Sequence, residues 1–203
     1  MLRTAMHGLA EPSEWITRFA PAIEPASRVL DLACGAGRHT RLFLRAGHRV
    51  TAVDVDITGL ADLTAEPDLR LIEADLEDGS SWPLGTARFD AVIVTNYLHR
   101  PVFHEILAAV DDGGLLLYET YARGNERFGK PRNPAFLLEP GELLDVARGE
   151  LQVIAFEQGI VARGKETSGQ APGEAPGQAV VQRICAVRSD DGEMPFRVLP
   201  DTG

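Results

Sequence analysis

The stretch VLDLACGAGRHT, residues 29–40, reads as a buried strand that turns through two glycines into a helix. Val29, Leu30 and Leu32 give the apolar run of a parallel strand, with Asp31 near its carboxyl end. Gly35 and Gly37 let backbone approach a ligand that side chains would exclude. From Arg38 the pattern becomes helical: Leu42, Phe43 and Ala46 supply an apolar stripe, and Gly47 fits the position just past a helix end. A turn of this kind holds a nucleotide-like cofactor.

Two cofactor classes use such a turn, and spacing separates them. A dinucleotide fingerprint needs G-x-G-x-x-G so that a pyrophosphate rests on the helix N-terminus. Counted from Gly35, the third glycine position is Thr40, which works against close helix–strand packing and weakens that reading. The pattern D-x-G/A-x-G-x-G fits Asp31, Ala33, Gly35 and Gly37 without a gap. On these residues the chain resembles the class I S-adenosylmethionine-dependent methyltransferases, with Ala33 where glycine is commoner. The resemblance implies S-adenosylmethionine as cofactor, with Asp31, Ala33, Cys34, Gly35 and Gly37 around its methionyl part.

Further acidic strand ends follow in order. HRVTAVDVD, residues 48–56, is a second strand whose Asp54 lies about twenty residues past the turn, the spacing of a carboxylate on ribose hydroxyls. The resemblance places Asp54 in the family's second motif and Val55 against the adenine edge. Asp56 is either a further acidic contact or the N-cap of the next helix. LRLIEAD, residues 69–75, is a third strand; the resemblance assigns Asp75 to the adenine amino group and the Leu76 backbone to the ring nitrogen, although an Asp after a strand also serves turns. FDAVIVTN, residues 89–96, is a fourth, and the resemblance, through the family's fourth motif, places its Asn96 beside the methyl donor. Tyr97, His99 and Arg100 follow at once.

The rest of the chain completes a sheet. A short helix is expected over 12–19 with Ser13 as N-cap and Trp15, Ile16 and Phe19 inward, a fifth strand over 114–120, a helix over 139–147 and strands over 151–161 and 179–188. The polar stretch 163–178, with two A-P-G triplets, reads as a mobile connection. No crossover helix separates the last two strands, so they pair as an antiparallel hairpin. The resemblance implies an α/β fold: a Rossmann-like, doubly wound, seven-stranded sheet, mostly parallel with the last strand antiparallel, in the order 3-2-1-4-5-7-6. One domain is expected over 1–203, with a tail at 189–203. Within the class, the short length, the CGAGR turn and the strand order are most similar to small bacterial enzymes of the tellurite-resistance and thiopurine type.

Composition bounds the partners. A net charge of −10 disfavours a nucleic-acid partner, whose binding draws on clustered Lys and Arg. One basic stretch, YARGNERFGKPRNP at 121–134, runs against the trend. Tyr121, Arg123 and Arg127 either bind an anionic or polar substrate or belong to a solvated loop paired with Glu119 and Glu126. No apolar run is long enough to span a bilayer, no secretion signal opens the sequence, and Cys34 and Cys185 are expected to be reduced; the cytoplasm is the expected location. His7, His39, His48 and His104 form no metal-like cluster, so no metal is expected.

A sulfonium makes its methyl carbon electrophilic, so such a protein orients a nucleophile in line, excludes water and, for a protonated acceptor, takes a proton. Tyr97 and His99 are the candidate catalytic side chains, His99 as base because imidazole changes charge near neutral pH. A loop-ordering histidine is the alternative. Arg100 either meets substrate or shapes the next helix with Pro101. An anionic acceptor such as a thiolate or a selenium or tellurium species needs no base. Three readings stand: a small-molecule methyltransferase, an NAD(P)-dependent oxidoreductase, and a non-catalytic S-adenosylmethionine-binding module. The sequence specifies neither acceptor nor oligomeric state.

Overall fold

In the computed structural model, which describes residues 10–162 and 177–189, the strand before the glycine turn is central to one sheet. This strand, β1 (Arg28–Leu32), pairs in parallel with β2 (Arg49–Asp54) on one side and β4 (Phe89–Thr95) on the other. β3 (Leu69–Glu73) extends the parallel array beyond β2, and β5 (Val110–Tyr121) does so beyond β4. β7 (Gln178–Val187) then runs antiparallel to β5 and to the edge strand β6 (Gln152–Ala162). The sheet is seven-stranded in the expected order, β3-β2-β1-β4-β5-β7-β6, with β7 as the reversed strand.

Side chains alternate between two cores because a strand repeats every second residue. Leu30, Leu32, Val92, Val94 and Tyr118 face α3 (Phe103–Ala108) and α4 (Glu142–Ala147). Val29, Ile93, Leu115 and Leu117 face Trp15, Ile16 and Phe19 of α1 (Glu14–Phe19) and Phe43 of α2 (Arg38–Arg45). β1 is buried on both sides, which explains its nearly continuous apolar run. Asp31 shares the odd-numbered face of Val29, so the lone carboxylate of that strand points toward α2 rather than α3.

Some boundaries differ from expectation, each with a local cause. β5 begins at Val110 rather than at 114, since the D-D-G-G stretch is not a turn but an irregularity in the pairing with β4. A Cβ on Gly114 would stand 2.9 Å from the Phe89 carbonyl oxygen, so glycine permits that approach. α4 starts at Glu142, after Gly141 in the left-handed region (φ 76°). Ser13 caps α1 as expected, its Oγ accepting from the Trp15 backbone N–H at 3.1 Å. β3 ends at Glu73, leaving Asp75 beyond the strand. Residues 163–176 of the polar stretch and 190–203 of the tail lie outside the described residues. Among the described residues no helix is long and apolar enough to cross a membrane.

Candidate cofactor and acceptor site

At the carboxyl end of β1 the chain turns through Ala33 (φ 53°), Gly35 (φ 53°) and Gly37 (φ 78°), all in the left-handed region. Ala33 carries the strain of that conformation, on the order of 1 kcal/mol for a residue with a Cβ. The two glycines differ. A Cβ at Gly35 would meet nothing within 4 Å, so its side of the turn is open. At Gly37 it would fall 2.0 Å from Leu60 Cδ2, and Leu60 is fully buried. Gly37 is therefore imposed by packing, and Gly35 borders the cradle. Gly37 precedes α2 with no side-chain cap, and in the first turn of the helix the Thr40 N–H bonds the Asp31 carboxylate. Cys34 is buried behind the turn, and burial followed by the fields of Asp31 and Asp54 pushes its thiol pKa up, keeping it an un-ionised packing residue.

The acidic strand ends converge on this turn in different ways. Asp54 bonds it directly: Oδ2 accepts from the Gly35 N–H at 2.7 Å and Oδ1 from the Asp56 N–H at 3.1 Å. Each carboxylate oxygen retains a lone pair for a further donor. Val55 beside it is 60% exposed, an apolar surface that protein covers only in part. Asp56 is not the N-cap of the following 3-10 turn, a position held by Ile57; it makes a local turn contact instead, accepting from the Thr58 N–H at 2.9 Å and hydroxyl at 2.6 Å. Asp75 accepts from the Glu77 N–H at 2.8 Å, a turn contact, and lines with Leu76, Trp82 and Glu105 a cavity of about 50 Å³. Asp31 is 1% exposed; its Oδ2 accepts from the Thr40 hydroxyl at 2.6 Å and its Oδ1 is buried without a partner. Burial raises the Asp31 pKa to about 6, against the lowering effect of the Thr40 bonds.

Across the rim lies the segment leaving β4. Asn96 is exposed, left-handed (φ 56°), and its N–H donates to the Glu119 carbonyl at 2.9 Å. Tyr97 is held by its backbone, whose carbonyl accepts from the Tyr118 hydroxyl at 2.9 Å, while its own hydroxyl is buried without a partner. Burial first, then the charges of Glu77, Asp75 and Asp54, push the Tyr97 pKa up, so the side chain is a neutral phenol. His99 Nδ1 stands 3.9 Å from Glu77 Oε2. Arg100 is engaged within the protein: Nε and Nη2 donate to Glu142, and Nη1 and Nη2 to the carbonyls of Ala135 and Leu137. Tyr121 is buried at the end of β5. Arg123 pairs with Glu139 at 3.1 Å rather than with Glu119 or Glu126, and the Arg127 guanidinium lies 5.6 Å from the Phe128 ring centroid.

Three side chains that shape this rim carried no signal as functional residues. Thr40 read only as a missing glycine. Asn125, 1% exposed, anchors the basic stretch by donating to the Pro131 carbonyl and accepting from the Val180 N–H. His39, also 1% exposed, accepts at Nε2 from the Ser13 N–H at 3.0 Å, which leaves its proton on Nδ1, 3.4 Å from Thr95 Oγ1. Burial, then the charge of Arg38, lowers its pKa to about 3. Nothing in residue spacing announces a contact between positions 13, 39 and 95. Among the described residues no group of three or more His, Cys, Asp or Glu side chains is placed to hold a metal ion.

Residues 29–114 match a family model described as a methyltransferase domain. No curated protein matches the chain. Among solved structures it is similar to TehB from Haemophilus influenzae, with a TM-score of 0.67 and 17% identity over 86% of this chain and 61% of that one. The chain thus spans less than two thirds of the Haemophilus protein. It is also similar to the 1,6-didemethyltoxoflavin-N1-methyltransferase of Burkholderia thailandensis (TM-score 0.58, 20% identity, 87% and 76% coverage). A TehB-like methyltransferase from Corynebacterium glutamicum gives a TM-score of 0.57 at 16% identity, with 86% and 87% coverage. At these identities the likeness is one of fold.

Proposed function

We infer that this chain is a class I S-adenosylmethionine-dependent methyltransferase that moves a methyl group onto a small molecule, a reading supported by the matched segment and the fold. One observation carries the reading: the Asp54 carboxylate lies on the Gly35 N–H at 2.7 Å, between an open glycine turn and the exposed Val55. That is a seat for a ribose with adenine against Val55. The glycine turn would hold the methionyl end, and Asp75 with the Leu76 backbone would meet the adenine edge. When bound, S-adenosylmethionine supplies an electrophilic methyl carbon.

The chain's own groups would do the rest. Asn96 and the Tyr97 phenol line the acceptor side, where a neutral hydroxyl donates a hydrogen bond and does not take a proton. His99 is the residue to accept one, with Glu77 positioned to stabilise the resulting imidazolium. Arg123 and Arg127 would face an anionic or polar acceptor at the basic stretch, with Arg100 tying residues 135–137, just past that stretch, to the exit of β4; Tyr121 instead packs in the core against Leu137, Ala179 and Val181. The net charge of −10 disfavours a nucleic-acid acceptor, and the Burkholderia enzyme was crystallised with 1,6-didemethyltoxoflavin and S-adenosylhomocysteine. Isothermal titration tests the reading: S-adenosylhomocysteine binds and NADH does not. Binding of NADH alone would replace it with the oxidoreductase.

A further inference from the structure

We propose that Thr40 is a positioning residue of the cofactor site that acts through Asp31, an inference that rests on the function just proposed. Thr40 and Asp31 are 0% and 1% exposed, and the Thr40 hydroxyl donates to Asp31 Oδ2 at 2.6 Å. The bond joins the end of β1 to the first turn of α2, across the bend at Ala33, Gly35 and Gly37. The other side-chain bond to the bend, from the Gly35 N–H to Asp54 at 2.7 Å, fixes it to β2 and not to α2. Gly37 gives α2 no side-chain cap, and Gly35 has open space around it. Asp31 Oδ1 has no partner, so a loss of the Thr40 hydroxyl strips a buried carboxyl group of its side-chain donor. The carboxylate then keeps only the bond from the Thr40 backbone N–H; a buried group so under-satisfied costs more than the lost bond was worth, and the nearest relief is a shift of strand end against helix. The N–H groups of the turn and first helical turn would move with them.

The position of the bond also accounts for the departure from a dinucleotide fingerprint. Where that fingerprint keeps a third glycine for close packing, this chain places a hydroxyl and fills the gap with a strand-to-helix bond. Asp31 is too deeply buried to meet a ligand across its own surface. Its effect on the cradle is carried by α2.

The test is titration of S-adenosylhomocysteine into the full-length protein and the variants T40S, T40V, T40A, D31A and D31A/T40V, with thermal unfolding of each to establish that it folds. T40V keeps the side-chain volume and removes the donor; T40A does so with less demand on packing should T40V fail to fold. The expected result is affinity about tenfold weaker in T40V or T40A and rescue in T40S to within about twofold of the unaltered protein. In the D31A background the T40V change adds no further loss, because its route of action is gone. Unchanged affinity in T40V and T40A overturns the inference alone, as does an equal loss with or without Asp31. Absence of binding by the unaltered protein overturns the proposed function and this inference together.

Discussion

The two halves of the carboxyl rim are built differently. Around β1, β2 and β3 the polar groups bond to near neighbours in sequence or to the adjacent strand end: Asp54 to Gly35 and Asp56, Asp56 to Thr58, Asp75 to Glu77. Around β4, β5 and β7 they are held from far away. His39 reaches Ser13 and Thr95, Arg100 reaches Glu142 and the 135–137 carbonyls, and Asn125 reaches Val180. The first half, the proposed cofactor seat, is assembled from local turns; the second, the proposed acceptor wall, is assembled by tertiary packing. The lesson is that substitutions should separate binding from stability according to the half in which they fall.

The largest expected effect lies at the junction of the seat with the core. Gly37→Ala drives a Cβ toward Leu60 in a left-handed conformation and should cost about 3 kcal/mol in urea unfolding, whereas Gly35→Ala should cost about 1 kcal/mol. Equal costs would mean that Leu60 yields freely. Asp54→Ala comes next: it should weaken S-adenosylhomocysteine binding by about 1 to 3 kcal/mol in titration, with a smaller change in unfolding. Arg100→Ala is its mirror image. It removes a bidentate pair with Glu142 and two carbonyl contacts, and should lower stability by about 2 kcal/mol while leaving that affinity unchanged.

The acceptor wall also has a pH signature. Because the His39 pKa is held down to about 3 in the folded chain, the unfolded chain binds the extra proton first. Its contribution to stability is therefore complete above the ordinary histidine pKa and is lost as pH falls below it, by about 2 kcal/mol between pH 6.5 and 5. Asp31, whose pKa is raised to about 6, opposes this loss in the same range and the lowered pKa of His48 adds to it, so the test is a difference: His39→Gln should lose less stability on acidification than the unaltered protein by about that amount, and an equal pH dependence would remove His39 as a source. The smallest effect is assigned to Arg123→Ala, whose pair with Glu139 is solvent-facing, and which should change stability by less than about 0.5 kcal/mol.

The same division explains what could be read in the sequence. The glycine turn, the capping by Ser13, the antiparallel pairing of β6 with β7 and the placement of Asp54 were legible because each rests on periodicity or on short spacing, whereas the full strand order came from the family resemblance. Residues 110–113 were not: two aspartates before two glycines look like a turn until the carbonyl of Phe89 is seen pressing on Gly114. The roles of Thr40 and His39 were hidden for a related reason. Thr40 was weighed only as an absent glycine, and His39 only for metal binding, while their partners, Asp31 and the pair Ser13 and Thr95, are chosen by the packing of α2 and α1 on the sheet. Arg100, one of the candidate substrate contacts, turned out to have its donors engaged with Glu142 and two carbonyls, none of which its own neighbours announce.

A crystal structure with S-adenosylhomocysteine tests the central claim most directly. The account predicts the ribose hydroxyls within hydrogen-bond distance of the Asp54 carboxylate, the adenine against Val55 and beside Leu76, and the sulfur directed toward Asn96. An adenosyl group seated elsewhere, with Asp54 still bonded only to the backbone of Gly35 and Asp56, would contradict it.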